Sequence, residues 1–501
     1  MEKQTLFQFL LLAFRASSAS DVGSADIGWF WQVTDFHYDA NYSLHGNPST
    51  MCHTSGGDKY NNGIYGNYLC DSPWRLVESA VNEMKSQNGT PDFILWTGDS
   101  VPHVKDSELN LAKVFENIRK VSDQLRDEFP NTTIYPVLGN HDPFPSNQMS
   151  DAMQYYQGVL NSSHWDYLLD EQQQADFIKG GYYSTVTDYG LRVLGLNTNL
   201  YYNMDKVTVM IWDPASQFEW MWNQLVDARQ HNQMVYIVSH VAPGAFERMI
   251  DMTWFYPEHN ERYLSILREF SDIIAVQIYG HDHTDSFRVL YSGPGLPVSS
   301  LLLSPAVTPW KSTLPGVGAN NPSLRLYKYN RKTGLVLDYI QYFVNLTAAN
   351  TDNQTDWQVE YQATQEYNIT DLSANSLHKL LMSFKNDSSG YFQKYLVYNS
   401  VGYDMNPVCN ESCVRAQVCA IEKLGMKEYK FCMEGKHHKT TDIPPTTHHP
   451  KPHKKVPQYM FYVIGTLAFV VVILFVVIMM LCISRRRHIA PYRRFSTSLN
   501  A

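Results

Sequence analysis

The stretch Ile134-Tyr-Pro-Val-Leu-Gly-Asn-His-Asp142 decides the fold. Its short apolar run of β-branched and aromatic residues predicts a buried strand, and the glycine behind the run allows a sharp turn that presents Asn140 and His141 at its tip. An amide oxygen and an imidazole on one loop can hold a metal ion and serve its substrate. By itself, Gly-Asn-His is also compatible with an ordinary turn, so its interpretation depends on the rest of the chain.

Four further predicted strands end on the same kinds of residue. Gly28–Thr34 leads to Asp35 and His37, Phe93–Trp96 leads to Asp99 and His103, Met234–Ser239 leads to His240, and Ile273–Tyr279 leads to His281 and His283. Helical patterns lie between these strands, near residues 72–84, 109–125 and 214–228. Alternating strands and helices predict an α/β architecture, in which sites lie beyond the carboxyl ends of the strands.

These loops deliver a set of oxygen and nitrogen ligands that suits two divalent metals better than one. The set consists of Asp35, His37, Asp99, Asn140, His240, His281 and His283. Asp99 is the natural bridging ligand, because its strand is expected to be central. Two metals about 3.5–4 Å apart can lower the pKa of a bridging water and clamp a phosphate, which is the chemistry of phosphoester hydrolysis.

The ordered motifs resemble the calcineurin-like metallophosphoesterase superfamily. Asp-x-His, Gly-Asp, Gly-Asn-His-Asp, a single histidine at a strand end and Gly-His-x-His follow one another in that order. The residues around these motifs resemble the acid sphingomyelinase-like phosphodiesterases at 34–39, 98–103, 196–202 and 304–309, and their 3b-type, membrane-anchored branch at 280–287 and 308–315. This resemblance implies an αββα sandwich with two zinc ions.

The resemblance also implies a role for each residue. Asp35, His37 and His283 would bind one zinc ion, Asn140, His240 and His281 the other, and Asp99 both. His141 would donate a proton to the leaving oxygen, and His103 would lie near the substrate phosphate or serve only as a satisfied residue behind the site. Asp282 is expected to face solvent or to orient its neighbours.

Composition and cysteine content indicate a protein of the secretory pathway. The chain has 501 residues, a net charge of -9 and a pI near 6.0, which argues against a nucleic-acid polymer as partner and leaves a monomer as the expected state. Residues 1–19 read as a secretory signal, and nine Asn-x-Ser/Thr acceptors follow: Asn41, Asn88, Asn131, Asn161, Asn345, Asn353, Asn368, Asn386 and Asn410. Because secreted proteins form disulfides, six of the cysteines are expected to form three. We favour the pairings Cys52–Cys70, Cys409–Cys413 and Cys419–Cys432. The four cysteines from 409 to 432 also permit other pairings, or could together bind a zinc ion.

The predicted organisation has six segments. They are a signal peptide (1–19), a catalytic α/β sandwich (20–345), a small disulfide-stapled helical subdomain (346–435), a His/Lys/Thr/Pro stalk (436–458), a transmembrane helix (459–484) and a basic cytosolic tail (485–501). The span rests on the uncharged apolar run Met460–Ile483, which five arginines follow. The sequence thus predicts a single-pass type I cell-surface protein, with endolysosomal cycling suggested by Tyr492-Arg-Arg-Phe495.

Three functions are compatible with these residues. The first is a zinc phosphodiesterase that hydrolyses phosphodiester or phosphoanhydride bonds in nucleotide-like or phosphocholine-type substrates. The second is a sphingomyelin phosphodiesterase that acts on membrane phospholipid. The third is a cell-surface regulator of membrane lipid or innate immune signalling whose metal site is only structural.

Overall fold

The computed structural model describes residues 26–54, 60–150, 152–314, 316–386 and 389–435, in which twelve strands form two six-stranded sheets. The strands are β1 Ile27–Val33, β2 Phe93–Trp96, β3 Thr133–Pro136, β4 Tyr183–Val186, β5 Arg192–Gly195, β6 Val235–Val238, β7 Ile274–Tyr279, β8 Ser286–Tyr291, β9 Pro297–Leu303, β10 Ser323–Asn330, β11 Val336–Val344 and β12 Trp357–Gln362. Sheet 1 has the order β12-β11-β10-β1-β2-β3, and sheet 2 has the order β4-β5-β6-β7-β9-β8.

Aromatic side chains fill the space between the two sheets. Phe30 of β1 stacks between Phe93 and Tyr327, with ring centroids 4.8 and 4.7 Å away, and meets Tyr236 of sheet 2 edge-on at 5.7 Å. Gln32 of sheet 1 donates a hydrogen bond of 2.9 Å to the backbone oxygen of Tyr279 in sheet 2. The central strands are buried on both faces, which is typical of parallel sheets covered by helices on the outside.

The helices follow the expected alternation with the strands. They are α1 Trp74–Asn88, α2 Leu111–Glu128, α3 Met153–Ser162, α4 Glu171–Gly180, α5 Gln217–Gln230, α6 Pro257–Glu269, α7 Leu346–Asp352, α8 Ala363–Tyr367, α9 Ala374–Asn386, α10 Tyr391–Asn399, α11 Glu411–Glu422 and α12 Met426–Met433. The sequence of α2 shows why such a helix forms: the Asn110 side chain caps its first turn by accepting from the Lys113 amide at 3.0 Å. Its apolar residues recur every three or four positions and bury one face.

Strand direction brings the predicted loops to one place. β1, β2 and β3 run parallel to one another in sheet 1, as do β6 and β7 in sheet 2. Their carboxyl ends therefore lie at one edge of each sheet, and the loops that carry the chemistry-bearing residues leave from those edges. Three loops come from sheet 1 and two from sheet 2, so both sheets supply the site.

The segment that follows β11 contains one more strand than the sequence analysis expected. β12 extends sheet 1 by pairing antiparallel with β11, although residues 346–435 were predicted to be helical. Only Trp357 and Tyr361 of its six residues are buried, so β12 has neither the continuous apolar run nor the strict alternation by which a strand is recognised in a sequence. The disulfides are Cys52–Cys70, Cys409–Cys413 and Cys419–Cys432, the three pairings favoured from the sequence.

The nine asparagines of the predicted glycosylation sites all reach the surface. Eight are exposed, and Asn88 at the end of α1 is half-buried. Surface position is required of an acceptor, and the attachment of glycans stays a prediction.

The predicted localisation is corrected by the structure. Within the described residues, no helix has both the length and the apolar character needed to cross a membrane. The run Met460–Ile483, on which the type I single-pass interpretation depended, lies outside the described residues, as do the predicted signal peptide, stalk and tail. The prediction of a single-pass cell-surface protein with endolysosomal cycling is therefore withdrawn.

Candidate two-metal site

The backbone is strained where the predicted ligands leave their strands. Asp35, His37, Asp99, His281 and His283 have φ angles of 52°, 41°, 56°, 72° and 58°. These are left-handed values that non-glycine residues rarely adopt, and each costs about 1–3 kcal/mol. Such strain persists only where the surrounding structure imposes it, and it is typical of functional sites.

Asp35, His37, His283 and Asp99 form the first cluster of predicted ligands. The Nε2 atoms of His37 and His283 lie 3.2 Å apart, and Asp35 Oδ1 lies 3.7 Å from the first and 3.3 Å from the second. Asp99 Oδ2 lies 3.4 Å from His37 Nε2. Four ligand atoms from three loops thus point at one small volume.

The second cluster shares Asp99 with the first. Asp99 Oδ2 lies 3.1 Å from His240 Nε2, which lies 2.9 Å from Asn140 Oδ1. Asn140 Oδ1 in turn lies 2.7 Å from His281 Nδ1. The seven residues singled out in the sequence are therefore brought together as two groups with a common carboxylate.

Backbone carbonyls fix the orientation of two of the histidines. The Nδ1 atom of His37 lies 2.7 Å from the oxygen of Val101, and that of His240 lies 2.7 Å from the oxygen of Thr97. Each carbonyl accepts the Nδ1 proton, which leaves the Nε2 lone pair directed at the centre of the site. This is the arrangement that a metal-binding imidazole requires.

The residues present fit two divalent cations. Asp35 Oδ1 and His281 Nε2 are buried and have no hydrogen-bond partner among the described residues. Asp35, His37 and Asp99, as well as Asp99, His240 and His281, each offer ligand atoms within 4.8 Å of one another. Buried polar atoms ordinarily find partners, so this concentration of imidazole and carboxylate groups is best explained by bound metal.

Asp99 sets the electrostatics of the centre. Burial alone would raise its pKa, but His240 and His37 outweigh burial and hold the pKa of Asp99 well below its usual value. Burial would lower the pKa of His37 and His240, but the nearby carboxylates, Asp99 foremost and Asp35 with it, together outweigh burial and raise both pKa values to about 9. A cation that binds these two rings must therefore displace protons.

Two glycines allow the loops to approach one another. A Cβ atom on Gly139 would lie 2.0 Å from Asp99 Oδ1, and one on Gly280 would lie 2.1 Å from Thr34 Oγ1 and 2.7 Å from Asp35 Oδ2. From the sequence, Gly139 was expected to permit a sharp turn. Its φ is not positive, and it instead leaves room for the Asp99 carboxylate.

Asp142 ends the Gly-Asn-His-Asp motif, and the sequence predicted no role for it. Its buried carboxylate accepts hydrogen bonds from the amides of Asp99, Ser100 and Gly139 at 3.1, 2.9 and 2.7 Å. It therefore ties the loop after β2 to the loop after β3. Its position directly after Gly-Asn-His was the only signal available in the sequence.

His141 lies beside the Asp99 carboxylate without joining either cluster. Its amide donates to Asp99 Oδ1 at 2.8 Å, and its ring nitrogen Nδ1 is buried without a partner in the described part of the chain. Burial lowers the pKa of His141 to about 4, and the opposing effect of Asp99 is weaker. The ring is thus free to exchange a proton with a bound substrate.

His103 is held by Asp71, a residue for which the sequence predicted no role. Its Nδ1 atom lies 3.0 Å from Asp71 Oδ1, and its amide donates to Asp71 Oδ2 at 2.6 Å. Thr308 donates to the same carboxylate at 3.1 Å, and Trp310 stacks on the His103 ring with centroids 3.8 Å apart. Burial lowers the pKa of His103 well below its usual value, so the neutral ring donates from Nδ1 and keeps the Nε2 lone pair free.

Replacing Asp71 with asparagine is expected to reduce kcat/KM by about tenfold to a hundredfold, because a hydrogen bond to a charged group contributes about 1.5–3 kcal/mol. Steady-state kinetics of Asp71→Asn, His103→Gln and the double variant measure the effect. If Asp71 acts through His103, the double variant is no slower than His103→Gln. Additive losses would contradict this pairing.

Asp282 does not face solvent. It is 4% exposed, and its Oδ1 accepts from Trp254 Nε1 at 2.7 Å. The Trp254 ring packs edge-on against His281 with centroids 4.4 Å apart. Of the two roles expected for Asp282, the geometry supports the orienting one.

Comparisons with known proteins agree with this geometry. Residues 28–285 match the family model for calcineurin-like phosphoesterases, and residues 296–439 match that for the C-terminal region of acid sphingomyelin phosphodiesterase. Acid sphingomyelinase-like phosphodiesterase 3b of Homo sapiens is 41% identical over 416 residues, which cover 82% of this chain and 90% of that one. Cyclic GMP-AMP phosphodiesterase SMPDL3A is 40% identical in Bos taurus (82% and 92% covered) and 39% identical in Homo sapiens (81% and 90% covered).

Proposed function

The chain belongs to the calcineurin-like phosphoesterase family, among the acid sphingomyelinase-like phosphodiesterases, and from that membership we propose that it is a zinc enzyme that cleaves nucleotide-type phosphodiesters. Membership makes it a phosphoric diester hydrolase. The substrate and the identity of the metal are the proposed part.

The observation that carries the proposal is the pair of ligand clusters joined by Asp99. Four imidazoles, two carboxylates and one amide oxygen form a donor set that zinc accepts readily. Two such cations, when bound, lower the pKa of a water between them and neutralise charge on the phosphate. All seven residues come from one chain, so the proposed site needs no residue from a second copy; we propose a monomeric enzyme.

His141 is proposed to supply the proton that the leaving oxygen needs. At a pKa of about 4 the free ring is mostly neutral near neutral pH, but an anionic phosphodiester beside it favours the protonated form. His103, held by Asp71 on one side and by Trp310 on its face, is proposed to contact a phosphate oxygen or the leaving group. These two histidines are the unligated ones at the centre, so proton transfer falls to them.

Aromatic residues beside the phosphate position support a flat substrate group. Trp310 covers His103, and the next residue donates its amide to the oxygen of Tyr68 at 2.7 Å. Tyr68 in turn contacts Tyr403, with ring centroids 4.7 Å apart. Stacking of a base on an aromatic side chain contributes about 1–3 kcal/mol, which favours nucleotides over substrates without a planar group. The relatives named for cyclic GMP-AMP point the same way.

A substrate panel tests the proposal. We expect purified full-length protein to hydrolyse a cyclic dinucleotide, CDP-choline and bis(4-nitrophenyl) phosphate, to lose this activity in chelator, and to regain it with zinc. ATP tests phosphoanhydride cleavage, and micellar sphingomyelin tests the lipid alternative. Turnover of sphingomyelin alone would replace the nucleotide proposal by the lipid one. If the zinc-loaded protein hydrolyses none of these substrates, the remaining candidate is the cell-surface regulator whose metal site is only structural.

A further inference from the structure

A buried polar network lies behind the loop that carries His281 and His283. Its charged members are Glu247, Asp282 and Arg288, and all three are almost fully buried. Arg288 Nη2 lies 2.6 Å from Glu247 Oε2 and 3.4 Å from Asp282 Oδ2. Charges this deep persist only when they are paired and hydrogen-bonded, so the network needs every partner it has.

The C-terminal helices supply a central partner, Asn399, at the end of α10. Its Nδ2 donates to Glu247 Oε1 and to the backbone oxygen of Asp285, both at 2.9 Å. Its backbone oxygen accepts from the Asp285 amide at 3.3 Å. Asn399 thus hydrogen-bonds to both the backbone N–H and the backbone C=O of Asp285, two residues after His283.

Asn399 also holds Arg248, which extends the network to the other side of the loop. Arg248 Nε donates to Asn399 Oδ1 at 2.7 Å, and Arg248 Nη2 donates to the Asn399 backbone oxygen at 2.7 Å. The same guanidinium lies 3.5 Å from Asn320 Oδ1. The Asn320 side chain donates to the backbone oxygen of His283.

Three connections lead from this network to the ligands. Asp282 accepts from Trp254, whose ring packs against His281. Thr284, the residue after His283, donates to Glu247 Oε1 at 2.7 Å. The third runs through Arg248 and Asn320 to the His283 carbonyl. His281 and His283 have strained φ angles, so the loop needs external support to keep its shape.

We propose that Asn399 is a positioning residue for the metal centre, and that the C-terminal helices brace the His281–His283 loop through it. Asn399 touches neither ligand and acts through Glu247, Arg248 and Asp285. Without its side chain, the buried Glu247 and the half-buried Arg248 each lose a hydrogen bond, and the Asp285 carbonyl loses its donor. This inference rests on the two-metal site of the proposed function. Loss of a residue that supports a ligand typically weakens metal binding by about tenfold to a hundredfold.

The test compares full-length wild-type protein with Asn399→Ala and Asn399→Asp. The aspartate keeps the acceptor for Arg248 but cannot donate to Glu247 or to the Asp285 oxygen. The matched control is Lys394→Ala on the same helix, which removes a surface ion pair with Glu366 and a cation–π contact with Tyr391 but no contact with Asn399, Glu247 or Arg248 among those described. Zinc affinity is measured by chelator competition, the Co²⁺ absorption spectrum reports ligand geometry, and melting of the metal-free protein reports the fold.

We expect both Asn399 variants to bind zinc about tenfold to a hundredfold more weakly, to show an altered Co²⁺ spectrum, and to recover kcat at saturating zinc. Lys394→Ala should match wild type. Wild-type zinc affinity and an unchanged Co²⁺ spectrum in either folded Asn399 variant would overturn this inference alone. A wild-type chain that binds no zinc would overturn the proposed function together with it. The aspartate also places a carboxylate beside that of Glu247, so if neither variant folds, Asn399→Ser, which is uncharged and removes the paired contacts to Glu247 and Asp285, decides the question.

Discussion

Replacing Asp99 with asparagine is expected to reduce kcat by about 10³-fold or more and to lower the metal content, because a bridging ligand contributes several kcal/mol to both. Asp99 Oδ2 lies within 3.4 Å of His37 Nε2 and 3.1 Å of His240 Nε2, between the two clusters. Asparagine keeps the shape but removes the negative charge and one of the two acceptor oxygens. Metal analysis and turnover of an aryl phosphodiester, both at saturating zinc, measure the effect.

The control for this variant is Asp272→Asn, which loses only an exposed ion pair with Arg229. It should keep wild-type activity and metal content. An Asp99→Asn protein that retains two zinc ions and turns over at the wild-type rate would refute the shared role of Asp99. A protein that retains both ions but is inactive would place the role of Asp99 in catalysis alone.

Replacing His141 with glutamine is expected to slow hydrolysis of substrates with poor leaving groups by about 10²–10⁴-fold, because these depend on general acid catalysis. An aryl substrate whose leaving group is stable as an anion should lose far less. Zinc content should not change, since His141 belongs to neither cluster. Comparing kcat for a cyclic dinucleotide, whose leaving group is a ribose hydroxyl, with that for bis(4-nitrophenyl) phosphate separates proton donation from general damage.

The pH profile provides a second criterion for His141. The protonated ring is the active form, so the wild-type rate should fall as pH rises through the pKa of His141, and the variant should lack this fall. His164→Gln is the control, because His164 lies at the surface beside Asp123. Equal losses on both substrates, or a pH profile identical to wild type, would exclude His141 as the proton donor.

Local signals in the sequence predicted much of the fold. β2 and β7 are short apolar runs, and candidate ligands follow them directly in the sequence. Their hydrophobic pattern and the position of the polar residues after it were therefore enough to predict both strands and the residues at their ends. β8 was missed because Arg288 interrupts its apolar run, and this arginine is buried only because Glu247 and Asp282 neutralise it. β4 was missed because it is a four-residue edge strand with mixed burial.

The residues that support the site were much harder to predict than its ligands. Each ligand stands next to a strand end, but Asp71 is recognised only through His103, 32 positions away. Asn399 meets Glu247 across 152 positions. No spacing rule connects such pairs, because the chain folds between them in a way that only the packed structure determines. Sequence patterns therefore predict the candidate ligands at the end of a strand, but not the distant residues that hold those ligands in position.

The division of the ligands between the two sheets has a consequence for how the protein matures. Sheet 1 presents Asp35, His37, Asp99 and Asn140, and sheet 2 presents His240, His281 and His283. Sheet 1 alone would offer three of the four residues of the first cluster and two of the four of the second, and sheet 2 alone would offer one and two, so neither sheet completes a cluster by itself. Ions that bind these residues would therefore be held firmly only by a chain whose two sheets have docked, and their binding would stabilise the docked state over one in which the sheets are apart.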